Sequence, residues 1–171
     1  RWVSRYRDPG LLDLVRTPPG LLPPSNNAAR AADDLADLLA EYLAGVRHQD
    51  AELGRLVDAL DVRGLLDQTL IVYTADQGLM LGHRGLIGKG NATLPQNLYE
   101  ESVRVPMVLH WPGRIPAGTR LAIPFDHIDL FQSLLDAAGV RVTPELVASI
   151  NSPGSSVFPY LADPTTGWRR W

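Results

Sequence analysis

The residues with the greatest capacity for chemistry lie between Ile71 and Gly113. Asp76 and Gln77 follow directly on the apolar run Thr69-Leu70-Ile71-Val72-Tyr73-Thr74 and stand just before Gly78. An acidic residue just past the carboxyl end of a strand is where open α/β sheets gather their ligands. A carboxylate beside an amide oxygen suits a hard cation such as Ca²⁺ or Mg²⁺ better than a thiophilic metal. Asp close to Gly is also ordinary turn chemistry, so the pair alone leaves both readings open. Lys89 lies between Gly88 and Gly90, two residues that let the backbone approach an anionic group. Its ammonium can neutralise one oxygen of a sulfate or phosphate. The alternative is a solvated lysine on a loop.

Other groups add less. His83 lies six residues beyond Gln77, and His110 ends a second apolar run. A lone histidine is more often a loop or core residue than a ligand. The glycine and lysine spacing around Lys89 is not that of a nucleotide-binding loop. Asn91-Ala92-Thr93 matches a glycosylation sequon, which matters only in a secreted eukaryotic protein. With no cysteine, disulfides, thiolate metal sites and cysteine nucleophiles are excluded, and the redox compartment is left unread.

The elements that must position these groups can be read from periodicity. Residues 1–27 carry Pro18-Pro19 and Pro23-Pro24, which exclude a helix and make an irregular lead-in. Asn27 can cap a long helix with apolar residues at Leu35, Leu38, Leu39, Tyr42, Leu43, Val46, Leu53, Leu56, Val57 and Leu60. Gln49 and Asp50 interrupt that stripe, which predicts a buried, hydrogen-bonded Asp50 or a kink there. Gly64 reads as a C-cap. Residues 69–74 read as a buried strand, and Pro106–Trp111 as another, ending at Pro112-Gly113. Between them, residues 78–102 read as a long loop with five glycines, a length usually reserved for function. Asp126–Ala138 reads as a helix with Ile128, Phe131, Leu134, Leu135 and Ala138 on one face, stopped by Gly139. Helices alternating with apolar strands predict an α/β sandwich.

Composition bounds the rest. The 171 residues are enough for one globular domain with a sizeable core. A formal net charge of -3 shows no basic footprint for nucleic acid. No apolar run reaches the roughly 18–20 residues of a membrane span. Arg1 opens the chain without a signal-peptide pattern, and Trp171 closes it without a tail, so it reads as part of a longer protein; localisation stays open.

The ordered motifs extend the reading. Thr69 through Gly78, then Leu81-Gly82-His83-Arg84-Gly85, Gly88-Lys89-Gly90, and Leu98-Tyr99-Glu100-Glu101-Ser102-Val103-Arg104-Val105-Pro106 follow one another. Trp111-Pro112-Gly113, Asp126-His127-Ile128-Asp129-Leu130, Ala138-Gly139 and Gly154-Ser155-Ser156 with Pro159 and Leu161 come next. Together with the long helix carrying Asp50 and Gly54, this series resembles the C-terminal part of the catalytic domain of a type I, formylglycine-dependent sulfatase. The likeness covers roughly residues 40–162. It implies an alkaline phosphatase-like sandwich, a mixed, mostly parallel sheet flanked by helices, here as a partial domain. Residues 1–27 would be its lead-in, 28–162 its α/β portion, and 163–171 the start of a missing C-terminal region.

By the same resemblance, Asp76 and Gln77 are metal ligands for Ca²⁺, with Mg²⁺ as the alternative. Lys89 contacts the sulfate as a catalytic group, and His83 is a weaker substrate-binding candidate. The family's formylglycine arises from Cys or Ser in a Cys/Ser-x-Pro-x-Arg motif, which this chain lacks, as it lacks the early Asp pair. Arg84 stands where many relatives carry a second histidine. The partners implied are a sulfated small molecule or glycan and the missing N-terminal half of the domain, without nucleic acid. The function implied is a fragment of a sulfuric ester hydrolase, inactive by itself. The alternatives are a phosphonate or phosphate ester hydrolase of the same superfamily and a truncated, non-catalytic relative.

Overall fold

The computed structural model describes residues 32–140 and 143–168. The proline-rich lead-in over residues 1–27 and the Asn27 cap lie outside the described residues, as do residues 169–171. The chain divides into two compact units, Arg1–Leu109 and His110–Trp171.

In the first unit, Ala32–Val62 forms one continuous helix, α1. The first part of its apolar stripe is covered: Leu39 and Ala40 are buried. Leu39 and Leu81 form a small core against which Leu35, Leu38, Leu43 and Leu79 pack. Further along, Tyr42, Val46 and Leu56 are exposed. Asp50 departs from its expectation on both counts, because it is exposed and the helix runs through it. The described residues bring nothing over that turn, so a carboxylate there stays hydrated and has no reason to kink the backbone. Gly64 ends the segment as read, at φ 65. Its amide donates to Asp61 O at 2.8 Å, and the Leu65 amide donates to Leu60 O at 2.9 Å. These bonds close off carbonyls that the last turn would otherwise orphan.

Strand β1, Ile71–Thr74, pairs with β4, Met107–His110, in a two-stranded sheet. Both are half-buried rather than buried: Tyr73 and Val108 are 38% and 53% exposed. Alternate side chains point to opposite faces of a strand, so cover on one face alone leaves the other open. The stretch read as a loop holds more structure than its glycines suggest. Met80–Leu81 (β2) and Ile87–Gly88 (β3) form an antiparallel hairpin with Met80 opposite Gly88 and Leu81 opposite Ile87. A 3-10 turn at His83–Gly85 joins them, and a one-turn helix, α2, follows at Glu100–Val103.

In the second unit, α3 spans His127–Ala137. Asp126 caps it, its Oδ1 accepting from the Ile128 amide at 2.8 Å, while its own amide donates to Asp129 Oδ2 at 3.0 Å. This reciprocal pair satisfies donors at the helix start. Gly139, at φ 71, stops the helix where the sequence places the stop. Two short helices follow, α4 at Pro144–Ile150 and α5 at Phe158–Ala162. Asp129 is fully buried and ties α3 to the segment before α5. Its Oδ1 accepts from the Ser155 amide at 2.8 Å, and Ser133 Oγ accepts from the Val157 amide at 3.0 Å. Gly154 packs directly on the Ile128 carbonyl, where a Cβ would come within 2.0 Å of the oxygen. The Gly154-Ser155-Ser156 motif therefore marks a docking seam within this unit. Trp168 stacks on Phe125 with centroids 6.1 Å apart, and its indole donates to Pro124 O at 3.0 Å. No helix among the described residues is long and apolar enough to cross a membrane.

Candidate active site

Asp76 and Gln77 lie just past the C-terminal end of β1, where a ligand-binding carboxylate is expected. Asp76 is exposed and Gln77 half-buried. Lys89 follows β3 and is also exposed. Among the described residues, none of these three side chains is engaged in a hydrogen bond or ion pair. Two oxygen donors and an ammonium are thus left for a ligand.

The two segments share one anchor. The Gly78 amide donates to Ser102 O at 2.9 Å, and a Cβ on Gly78 would lie 2.1 Å from Glu101 O. A Cβ on Gly90 would lie 2.6 Å from Asn97 O and 2.9 Å from Ser102 Cβ. Gly90 therefore serves a close approach within the chain, whereas Gly88, on the other side of Lys89, has nothing within 4 Å of an added Cβ. Behind Gly90 lies a buried polar network. Ser102 Oγ donates to Asn97 Oδ1 at 2.7 Å, and Asn97 Nδ2 donates to Thr93 Oγ1 at 2.7 Å. Ser102, Asn97 and Thr93 are 5%, 8% and 3% exposed. The Lys89 carbonyl accepts from the Ala92 and Thr93 amides, at 2.8 and 3.1 Å. Thr93 is thus a strut of this loop, and Asn91 beside it is exposed.

The hairpin turn supplies further polar groups. Arg84 holds a left-handed conformation at φ 56, rare for a residue with a side chain, and its guanidinium stacks 4.3 Å over the Tyr99 ring. His83 is half-buried, and its Nδ1 is buried without a hydrogen-bond partner, as is Glu101 Oε2. A buried polar atom without a partner calls for one, which a water, an ion, a ligand or a further segment can supply. His110 is exposed at the end of β4.

The donor set fits part of a hard cation's shell. Asp76 and Gln77 offer adjacent oxygens and no sulfur, the chemistry Ca²⁺ or Mg²⁺ selects. Among the described residues, no cluster of three or more acidic or histidine side chains surrounds them. A cation held there would need its remaining ligands from elsewhere.

Sequence reasoning named Asp76, Gln77, Lys89 and His83, and it missed Ser102, Asn97 and Thr93 as the residues that hold the two segments. The sequence marks them only through the two glycines they pack against. Gly78 and Gly90 adopt φ values open to any residue, so their lack of a side chain answers a need for space.

Comparison with known proteins identifies the family of this chain. The family model described as Sulfatase matches residues 19–140. The N-acetylglucosamine-6-O-sulfatase of Bacteroides thetaiotaomicron is 36% identical over 123 residues, covering 72% of this chain and 20% of that protein. A protein solved with its substrate D-glucosamine-2-N,6-O-disulfate is 34% identical with a TM-score of 0.64, covering 75% of this chain and 24% of that one. The phosphonate monoester hydrolase of Agrobacterium radiobacter is 29% identical with a TM-score of 0.66, covering 81% and 26%. The chain thus spans a fifth to about a quarter of these three proteins, and its fold is part of the alkaline phosphatase-like α/β architecture. With a family model matching well over half its length, the chain belongs to the sulfatase family, the type I sulfatases of the alkaline phosphatase superfamily.

Proposed function

We propose that the polypeptide containing this chain hydrolyses sulfate esters of a small molecule or glycan, and that this segment supplies one side of its active site. Residues 28–162 would be the α/β portion of the catalytic domain, with 163–171 opening a C-terminal region. The supporting observation is the pairing of two unengaged oxygen donors, Asp76 and Gln77, with the unengaged ammonium of Lys89 on segments that share Ser102.

In this reading Asp76 and Gln77 hold a divalent cation, Ca²⁺ or Mg²⁺, through their side-chain oxygens. When bound, that cation would draw charge from the sulfate oxygens, while a formylglycine encoded outside this chain would supply the nucleophile. Lys89 places its ammonium on another sulfate oxygen. The sulfate oxygens carry charge that repels an incoming nucleophile, and the electron pair of the breaking S–O bond passes to the leaving oxygen; an ammonium already in place beside them lowers the barrier. His83, on the hairpin turn, is the weaker substrate-binding candidate, its Nδ1 lacking a hydrogen-bond partner.

Phosphonate and phosphate esters present the same tetrahedral oxyanion, and the likeness to a phosphonate monoester hydrolase keeps that chemistry as the second reading. The test is an assay of the complete polypeptide with 4-nitrophenyl sulfate and with a phenyl phosphonate monoester, with and without Ca²⁺. Preferred, cation-dependent turnover of the sulfate supports the proposal. Preference for the phosphonate supports the second reading, and turnover of neither ester overturns both in favour of a non-catalytic relative.

A further inference from the structure

We infer that Ser102 is a positioning residue that holds the Asp76–Gly78 turn and the Lys89 loop in one fixed relation, with Asn97 and Thr93 as struts behind it. The inference rests on the reading above in taking Lys89 as the sulfate-contacting residue. Ser102 does two jobs with two different parts. Its backbone carbonyl accepts from Gly78 at 2.9 Å, and its side chain lies against Gly90, whose Cβ would meet Ser102 Oγ at 3.1 Å. Gly78 is one residue beyond Gln77, and Gly90 is one residue beyond Lys89. Both glycines are needed for space, so neither segment can shift without moving against residue 102 or its neighbours.

The struts restrict residue 102 in turn. Asn97 Oδ1 accepts from Ser102 Oγ at 2.7 Å and from the Tyr99 amide at 3.2 Å. Thr93 Oγ1 accepts from Asn97 Nδ2 at 2.7 Å, and its hydroxyl lies within reach of the carbonyls of Pro95 at 2.9 Å and Gly90 at 3.1 Å. The Asn97 amide closes the loop on Gly90 O at 2.9 Å. The Ser102–Asn97, Asn97–Thr93 and Thr93–Gly90 bonds are buried, where a missing partner is not readily replaced by solvent, so loss of one loosens the others. A hydroxyl at residue 102 is small enough to sit beside Gly90 and polar enough to bind Asn97.

The test uses the complete polypeptide with Thr93→Val, Thr93→Ser and Ser102→Ala, each alone and combined with Lys89→Ala. Thr93→Val and Ser102→Ala should lower kcat by about tenfold, as slight misplacement of a catalytic group does. KM should stay within about twofold, because the lost interaction belongs to the transition state. Thr93→Ser should restore the rate. In the Lys89→Ala background neither change should slow the enzyme further; an undiminished loss there overturns the inference. A wild-type rate for Lys89→Ala alone is a failure of the functional reading, and hydrogen exchange separates the two. If Ser102 couples the segments, Thr93→Val speeds exchange of the Gly78 amide together with that of the loop from Gly90 to Asn97. Loosening of that loop with Gly78 protection unchanged removes the coupling.

Discussion

Gly78 sits so close to Glu101 that a single added carbon would lie 2.1 Å from the Glu101 carbonyl oxygen. The turn that follows β1 is therefore shaped by a backbone contact to a short helix more than twenty residues later. This contact, with the Gly78–Ser102 bond, brings the segment bearing Asp76 and Gln77 to the same anchor as the loop bearing Lys89.

The contact predicts opposite outcomes for two glycine substitutions. Gly78→Ala forces backbone apart and should destabilise the protein by at least about 1–3 kcal/mol. Gly54 lies inside α1, exposed and with nothing within 4 Å of an added Cβ. Gly54→Ala should stabilise by about 0.5–1 kcal/mol, since alanine loses less backbone freedom on entering a helix. Thermal melts of both variants check the pair, and equal effects of the two would contradict the contact.

Asp129 should matter for stability more than its place on a helix surface pattern suggests. Its carboxylate accepts the amides of Ser155 and Asp126 while fully buried. Asp129→Ala leaves both amides without that acceptor, at a cost of about 2–5 kcal/mol. Denaturant unfolding measures the loss. Asp129→Asn, which keeps one good acceptor oxygen, should fall between.

Asp76→Ala should lower cation affinity as well as rate in the complete polypeptide, because it removes the one charged donor of the pair. Calorimetry with Ca²⁺ reads the affinity directly. The 171-residue chain alone should bind Ca²⁺ weakly, with water filling most of the shell, and the same substitution should abolish what binding there is. Tight binding by the isolated chain would contradict the view that most ligands lie elsewhere.

The parts of this structure governed by local rules were legible from the residues. Gly64 and Gly139 both end helices with a positive φ, as their positions past an apolar stripe suggested. The helix read from Asp126 is present as α3, with that residue as its cap rather than its first turn, and Asp76 follows a strand. The hairpin of β2 and β3 was not legible, because two-residue strands carry no alternation to detect. Asp50 was misread because the helix stripe was assumed to be covered along its whole length, whereas its exposure shows open water there. The roles of Ser102, Asn97 and Thr93 depend on a close approach between separate turns, and a serine in a polar run gives no spacing from which to infer one. Asp76 and Lys89 were visible as chemistry, and their linkage needed coordinates.

The most direct test of the account is the turnover of a sulfate ester by the complete polypeptide carrying Lys89→Ala, beside the unaltered protein and with the melting temperature of each. The account predicts a loss of at least about a hundredfold in kcat, with folding intact, since an exposed lysine stabilises charge that develops in the transition state. A Lys89→Ala protein that keeps the full rate would contradict it.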